Sequence, residues 1–205
     1  MWVGTHLSRL ELLTLHSFTH FGHEFHLWAY DDLSQYKFPH GVEVRNAEEI
    51  IPRKAVFAKT QLDPETGVGR NSFAAPFSDL FRFKLLQKHG GIWADMDVTC
   101  LRPFDFSGEY AFRPHRVGVV GSIMKCPKGS QLMRKVYNET ARNITPDSEY
   151  LLPNRILSKH VEAMKILSAT GSMSPPNLVG PSRLAMAPST KSVAPRTAKR
   201  TNASH

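Results

Sequence analysis

Two carboxylates separated by one residue follow a short apolar segment in the middle of the chain. The segment from Gly90 to Cys100 has the sequence GGIWADMDVTC, with Asp95 and Asp97 on either side of Met96. A turn at this point would direct both carboxylates toward one ion. Magnesium and manganese prefer carboxylate and phosphate oxygens, so a D-x-D segment at the end of a strand can hold a metal-bound diphosphate.

A second charged pair precedes the acidic segment. Asp79 and Arg82 are three residues apart in the sequence FSDLFRFKLLQKH, which predicts a helix that ends at Gly90 and Gly91. Alone, such a pair is typical of a solvated ion pair near a helix N-terminus, and an isolated D-x-D is more often an acidic turn. The charged pair and the D-x-D segment are joined in one order of helix, glycines, strand and carboxylates. Together they therefore indicate a functional site more strongly than either does alone.

The residues before this region predict alternating strands and helices. Met1 to Gly4 is a candidate first strand, and Ser8 with Glu11 forms a capping box that begins a helix. The apolar segments Phe25 to Tyr30 and Val42 to Val44 predict two further strands. This β-α-β alternation predicts a parallel, doubly wound sheet that binds ligands at the carboxyl ends of its strands.

The rest of the chain continues the mixed pattern. Residues 61–72 (QLDPETGVGRNS) are rich in glycine, proline and polar residues, which predicts a loop. Further strands are predicted at residues 92–94, 110–112 and 117–124, the last two as a hairpin, and helices at residues 131–143 and 151–167.

Composition predicts one soluble globular domain. The 205 residues are 41% hydrophobic and 21% charged, with no apolar run of membrane-spanning length and no signal-peptide pattern at the N-terminus. Cys100 and Cys126 lack zinc-ligand spacing and are interpreted as free thiols, which favours a cytoplasmic location. Peripheral contact with a membrane remains compatible with this composition.

The positive charge of the chain is unevenly distributed. The net charge is +8, and residues 186–205 contain Lys191, Arg196, Lys199 and Arg200 but no acidic residue. We interpret residues 1–185 as the folded domain and residues 186–205 as a basic, low-complexity, disordered tail. The excess of positive charge suits anionic partners, but because no nucleic-acid-binding motif is present we expect no DNA or RNA partner.

The joint motif resembles one family. The stretch SDLFRFKLLQKHGGIWADMDVTCLRP is similar to sugar transferases with a D-x-D sugar-binding region, a group that includes fungal initiating mannosyltransferases, bacterial surface-polysaccharide transferases and the clostridial glucosylating toxins. The shared pattern is S-D-x-x-R, a helix, G-G, a short strand and D-x-D. Its matching residues here are Ser78, Asp79, Arg82, Gly90, Gly91, Trp93, Asp95 and Asp97. The resemblance covers about residues 1–125.

This resemblance implies both a fold and a reaction. The expected fold is α/β of the GT-A type, a Rossmann-like nucleotide-binding sandwich with a mixed central sheet. The expected activity is transfer of a sugar from a nucleotide-diphosphate sugar donor, with Mn²⁺ or Mg²⁺ as cofactor and retention of anomeric configuration. The acceptor would be a glycan, a lipid-linked group or a protein, as in polysaccharide biosynthesis.

The resemblance also implies roles for the charged residues of the motif. Asp97 would bind the metal directly, and Asp95 would contribute through water or through the donor's ribose. Asp79 and Arg82 would hold the sugar hydroxyls and orient the donor. Asp79, Arg82 and Asp97 are therefore the candidate catalytic residues.

The N-terminal sequence MWVG is similar to the first strand of the same family. By position, Trp2 would lie against the nucleobase, and Val3 and Gly4 would line the same pocket. The alternative for Trp2 is a core aromatic residue near the start of the fold. Members of the family generally continue past a segment that corresponds to Gly180 and Pro181, whereas this chain enters its low-complexity tail there, so it is expected to be shortened in its C-terminal part.

Three alternatives remain at this stage. A truncated, inactive relative would bind a nucleotide sugar without turning it over. A haloacid-dehalogenase-like phosphatase is suggested by the sequence DMDVTC, although no downstream acidic pair completes that motif. His16, His20 and His23 have helical spacing, but histidines without a carboxylate or cysteine partner are more often surface residues than metal ligands.

Overall fold

The computed structural model describes residues 1–56, 59–62, 69–72, 75–104, 106, 108–116, 118–145, 148–149, 151–169, 177–178 and 184–186. The helices in these ranges are α1 (Arg9–His20), α2 (Ala75–His89), α3 (Gln131–Asn143) and α4 (Leu152–Ala169). The strands are β1 (Phe25–Ala29), β2 (Val42–Asn46), β3 (Lys59–Leu62), β4 (Gly69–Ser72), β5 (Gly91–Ala94), β6 (Val98–Cys100), β7 (Ala111–His115), β8 (Gly118–Cys126), β9 (Asn177–Leu178) and β10 (Leu184–Met186). Residues 187–205, nearly all of the predicted tail, lie outside the described residues.

The strands form a mixed arrangement instead of the parallel sheet that the β-α-β pattern predicts. The largest sheet has the order β5-β8-β7-β9, with β8 antiparallel to both neighbours and β7 parallel to β9. β1 and β2 form a separate parallel pair, and β6 pairs with β10 in the antiparallel sense. The predicted β7–β8 hairpin is confirmed. The predicted strand at residues 1–4 is reduced to a single bridge between Trp2 and Ala29.

The prediction of a loop over residues 61–72 is wrong at both ends. β3 and β4 pair there in the antiparallel sense, and residues 63–68 between them lie outside the described residues. Glycine, proline and polar residues correctly indicate a turn, but local composition does not reveal that the flanking backbones pair with each other.

The first helix begins at the predicted capping box. The Ser8 side chain accepts a hydrogen bond from the Leu10 amide at 3.1 Å, and the Glu11 carboxylate accepts one from the Ser8 amide at 2.6 Å. Leu15 and Phe18 bury one side of the helix, which thereby packs near β6 and β1. This capping satisfies amide groups that the first helical turn would otherwise leave without partners.

The helix α2 lies inside the fold. Phe77 and Phe81 lie on one side of it and Phe83 on another, and all three are completely buried, as expected for a helix covered by other elements all round. They share a core cluster with Trp28 of β1 and Trp93 of β5, and α3 and α4 pack outside α2.

Among the described residues, no helix is long and apolar enough to cross a membrane.

The two glycines after α2 provide a matched test of the turn. Both have positive φ, +69° at Gly90 and +90° at Gly91, but an added Cβ at Gly90 would lie 2.4 Å from the Lys128 amide nitrogen. At Gly91 it would meet nothing within 4 Å. We expect Gly91→Ala to lower the free energy of unfolding by about 1–2 kcal/mol and Gly90→Ala by about 1–3 kcal/mol more, measured by urea denaturation. Equal losses would contradict the close approach to Lys128.

Candidate functional site

The D-x-D segment forms the turn that its chemistry requires. After β5, the Val98 amide donates a hydrogen bond to the Asp95 carbonyl at 3.2 Å, which closes the turn before β6. The Asp95 amide donates to the Ser122 carbonyl on β8 at 2.9 Å. The Thr14 hydroxyl of α1 donates to the Met96 carbonyl at 2.7 Å. The turn is therefore held from both the sheet and the first helix.

Arg82 connects the two acidic parts of the motif. Its guanidinium lies 3.2 Å from an Asp79 carboxylate oxygen and 3.2 Å from Asp95 Oδ1. Both Asp79 and Arg82 are only 7% exposed. The prediction of a solvated ion pair, which the local spacing favours, is therefore wrong, because α2 directs both side chains toward β5 and the D-x-D turn.

Asp95 is oriented by two donors at once. Trp93 Nε1 donates a hydrogen bond to Asp95 Oδ1 at 2.8 Å, and the Arg82 guanidinium lies over the Trp93 ring at 5.1 Å. Arg82 Nη1 also donates to Asp95 Oδ2 at 3.5 Å. Asp95 is therefore engaged with the protein through both oxygens, which suits an indirect contribution to metal or ribose binding better than a direct metal bond.

Asp97 has the opposite environment. Its Oδ1 atom is buried and has no hydrogen-bond partner among the described residues. Burial raises the pKa of the Asp97 carboxyl above its usual range, and the negative charge of Asp95 raises it further. A buried, unpartnered carboxylate oxygen is costly unless something compensates it, and a hard divalent cation provides that compensation.

The fold provides few other ligands for a cation at this place. Within the described part of the chain, no group of three or more histidine, cysteine, aspartate or glutamate side chains is arranged to hold a metal. His23, one of the three histidines with helical spacing, lies beyond the end of α1 and instead accepts a hydrogen bond from the Phe104 amide at 3.0 Å. A cation at Asp97 would therefore draw its remaining ligands from water and substrate phosphates, as magnesium commonly does.

The electrostatics of the site favour a cation. Burial raises the pKa of Asp79 to about 6, although the Arg82 charge acts in the lowering direction. The negative charge of Asp95 acts to raise the pKa of both Asp79 and Asp97, and the Arg82 charge acts to lower both. A divalent cation would relieve this repulsion between carboxylates.

The predicted nucleobase residues form a separate, adjoining segment. Trp2 packs against the cluster that contains Leu27 and Met96, and its indole N–H is buried without a partner among the described residues. The Gly4 amide donates a hydrogen bond to Asp31 at 2.6 Å. Val3 lies between them and is half-buried. The structure thus packs Trp2 against the cluster to which Met96, the residue between the two carboxylates, also belongs.

Sequence reasoning missed residues on β8, α4 and α1 that pack against the site residues or hold their backbone in place. A Cβ at Gly121 on β8 would lie 3.0 Å from Arg82 Nη1, so the missing side chain gives Arg82 its space. The Gly121 amide donates to Asn154 Oδ1 on α4 at 2.9 Å. Thr14 contacts Met96 across 82 sequence positions. No local pattern indicates such contacts.

Comparison with known proteins identifies the class of this site. Residues 42–113 match the family described as the glycosyltransferase sugar-binding region containing DXD motif, and this range includes all four charged residues of the site. The chain is also similar in structure to the glycosyltransferase PaToxG, with a TM-score of 0.56 and 13% identity over 82% of this chain and 70% of that chain. No curated protein sequence matches the chain.

Together these findings confirm the predicted assignment to the glycosyltransferases and the GT-A type α/β fold. At this level of identity the structural similarity concerns the fold alone. The individual roles of the site residues stay predictions.

Proposed function

We propose that this chain is a metal-dependent glycosyltransferase that moves a sugar from a nucleotide-diphosphate sugar to an acceptor, with retention of anomeric configuration. One observation carries the proposal. A buried carboxylate oxygen of Asp97 has no hydrogen-bond partner among the described residues. The carboxylate of Asp95, two residues earlier in the same turn, is held in place by Arg82 and Trp93.

The donor diphosphate would bind beside the D-x-D turn. Asp97 is the residue that would hold Mn²⁺ or Mg²⁺, with Asp95 contributing through water or through the ribose. When bound, the cation neutralises the negative charge that develops on the departing diphosphate. Asp95 remains oriented throughout by the Trp93 and Arg82 hydrogen bonds, so the site needs little rearrangement when the donor arrives.

The donor sugar would lie against Asp79 and Arg82. Asp79 can accept hydrogen bonds from sugar hydroxyls, and the Arg82 guanidinium, which contacts Asp79, Asp95 and Ser78, would orient the donor beside them. Because both residues are buried and mutually paired, they are rigid enough to fix one sugar orientation. Trp2 would contact the nucleobase, with Val3 and Gly4 lining that pocket.

The acceptor is proposed to be a glycan, a lipid-linked group or a protein, which agrees with a role in polysaccharide biosynthesis. Cys100 and Cys126 are both buried and free, and burial raises the pKa of each thiol. Thiols in this state are unreactive, and they suit the proposed cytoplasmic location.

Asp79 is expected to control the choice of sugar more than binding of the nucleotide. In Asp79→Asn, the loss of a charged acceptor should lower the affinity for the preferred nucleotide sugar by about tenfold, which is the effect of one lost charge-assisted hydrogen bond. Affinity for the matching nucleoside diphosphate, measured by calorimetry in the same buffer, should change less than threefold. Equal losses for both ligands would contradict a role in sugar recognition.

The proposal is tested by titrating the full chain with common nucleotide sugars in the presence and absence of manganese. We expect saturable binding that requires the metal for at least one donor, followed by slow release of nucleoside diphosphate. Metal-dependent binding without turnover would favour the alternative of a binding protein that has lost activity. Absence of metal-dependent binding for every donor would contradict the proposed site.

A further inference from the structure

The segment from Trp2 to Gly4 and the end of β1 run side by side and then diverge. The Trp2 amide donates to the Trp28 carbonyl at 2.8 Å, and the Tyr30 amide donates to the Trp2 carbonyl at 3.1 Å. In a continued parallel ladder, the Gly4 amide would next donate to the Tyr30 carbonyl. Instead, the Gly4 amide donates to Asp31 Oδ2 at 2.6 Å. The two backbones therefore separate here, at the carboxyl end of a strand, where α/β folds bind ligands.

Arg53 occupies the other half of this opening. Its Nη1 atom donates a hydrogen bond to the Tyr30 carbonyl at 2.9 Å and lies 2.8 Å from Asp31 Oδ1. Because both contacts use the same nitrogen, the guanidinium is held at one corner. Among the described residues, Nε and Nη2 of Arg53 have no hydrogen-bond partner. These two nitrogens are available as donors, and we refer to Asp31 and Arg53 as the strand-end pair.

The backbone that carries Arg53 is attached to the same strand end. Arg53 begins a single 3₁₀ turn, Arg53–Ala55, which the Val56 amide closes by donating to the Arg53 carbonyl at 2.9 Å. Just before this turn, the Ile51 carbonyl accepts a hydrogen bond from the Tyr30 hydroxyl at 2.6 Å. The fold therefore positions Arg53 before any ligand binds, which lowers the entropic cost of using it in recognition.

The strand-end pair is accessible from solvent beside Gly4. The Asp31 side chain is 21% exposed and the Arg53 side chain 49% exposed, in contrast to the buried pair of Asp79 and Arg82. A Cβ added at Gly4 would meet nothing within 4 Å, so there is open space next to its hydrogen bond with Asp31. An exposed ion pair contributes little to stability. A nucleobase held against Gly4 would lie next to this pair.

Asp31 and Arg53 together present an acceptor next to a donor. The hydrogen bond from the Gly4 amide lowers the pKa of the Asp31 carboxyl below its usual range, and Arg53 acts in the same direction. The carboxylate is therefore ionised at neutral pH, and each of its oxygens accepts one of these contacts and has a second lone pair. The guanidinium of Arg53 can only donate. The complementary edge of a ligand is an N–H beside a C=O.

We propose that Asp31 and Arg53 determine which nucleobase the donor carries, by binding the edge with N–H beside C=O that uracil and guanine share. Asp31 would accept from the ring N–H, and a second nitrogen of Arg53 would donate to the neighbouring carbonyl. Cytosine and adenine have an acceptor nitrogen beside an amino group at this edge, so they would place acceptor against carboxylate and donor against guanidinium. This selection rests on the proposed function, because it requires a nucleotide at Trp2 to Gly4.

The test measures the affinity of the full chain for UDP, CDP, IDP and ADP by calorimetry in one manganese buffer. UDP and CDP differ only at the edge that the strand-end pair would contact, and so do IDP and ADP. Inosine has the same N1–H and C6=O edge as guanine. We expect at least a tenfold preference for UDP over CDP if the site takes a pyrimidine, or for IDP over ADP if it takes a purine.

Arg53→Ala should reduce that preference to less than threefold by weakening only the favoured nucleotide. Asp31→Asn should also narrow it, because the amide can donate to the ring nitrogen of cytosine or adenine. The matched control is Arg155→Ala, which removes an arginine from an exposed pair with Glu149 on the surface and should leave the preference unchanged.

Two results would overturn base selection alone. Equal affinity of the unaltered chain for both members of each nucleotide pair would do so, and this comparison needs no variant to fold. Equal weakening of all four nucleotides by Arg53→Ala would show that Arg53 only tethers the end of β1. Absence of metal-dependent binding of every nucleotide would instead contradict the proposed function, and base selection with it.

Discussion

Replacement of Asp97 by alanine is expected to reduce metal-dependent release of nucleoside diphosphate by a hundredfold or more. The Asp97 Oδ1 atom is the buried carboxylate oxygen that no described residue satisfies, so it has the greatest need for a cation. A cation at a departing diphosphate contributes several kcal/mol of stabilisation, and about 1.4 kcal/mol corresponds to a tenfold change in rate. The measurement is the initial rate at saturating manganese.

Two comparisons make the Asp97 result specific. Glu162→Ala removes a carboxylate from an exposed ion pair on α4 and should leave the rate unchanged. The melting temperature of Asp97→Ala should not fall, because the substitution removes a desolvated charge that raises the free energy of the folded state. A normal rate in Asp97→Ala would contradict direct binding of the metal by this residue.

Arg82→Ala is expected to lower the free energy of unfolding by about 3–5 kcal/mol. The substitution leaves Asp79 buried without its positive partner and removes one of the two donors that hold Asp95. Removal of one member of a buried pair is costly because an uncompensated charge stays in the interior. Guanidinium denaturation of the metal-free protein measures this loss.

The control for Arg82 is an arginine in an exposed pair. Arg155 forms a bidentate contact with Glu149 on the surface, with both side chains more than half exposed. Arg155→Ala should cost less than about 1 kcal/mol. The double variant Arg82→Ala with Asp79→Asn should recover part of the loss, since the buried charge is then absent. Equal losses for Arg82→Ala and Arg155→Ala would contradict the buried network.

The parts of the fold that the sequence predicted well are those with local causes. The capping box at Ser8 and Glu11, the helix α3 and the glycine pair after α2 each follow from residues a few positions apart. The joint motif of helix, glycines and carboxylates pointed to the candidate site because its members also lie close together in sequence. The turn at the D-x-D segment was predicted from the requirement that two carboxylates approach one ion.

The parts that could not be predicted depend on distant contacts. Local spacing suggested a solvated pair for Asp79 and Arg82, and only the packing of α2 against β5 and β8 shows that both are buried. The support of Arg82 by Gly121 and of the turn by Thr14 joins elements far apart in the chain. The antiparallel pairing of β5 with β8 is likewise a long-range choice that alternation of helices and strands does not reveal.

Asp97, together with the Asp95 carboxylate that Arg82 and Trp93 hold in place, is proposed to form a metal-dependent donor site. The most direct test follows release of nucleoside diphosphate by the full chain from a panel of nucleotide sugars, while manganese is first removed by chelation and then restored. We predict release from at least one donor that stops on chelation, returns with manganese and is lost in Asp97→Ala. Release that continues without metal, or survives in Asp97→Ala, would contradict the account.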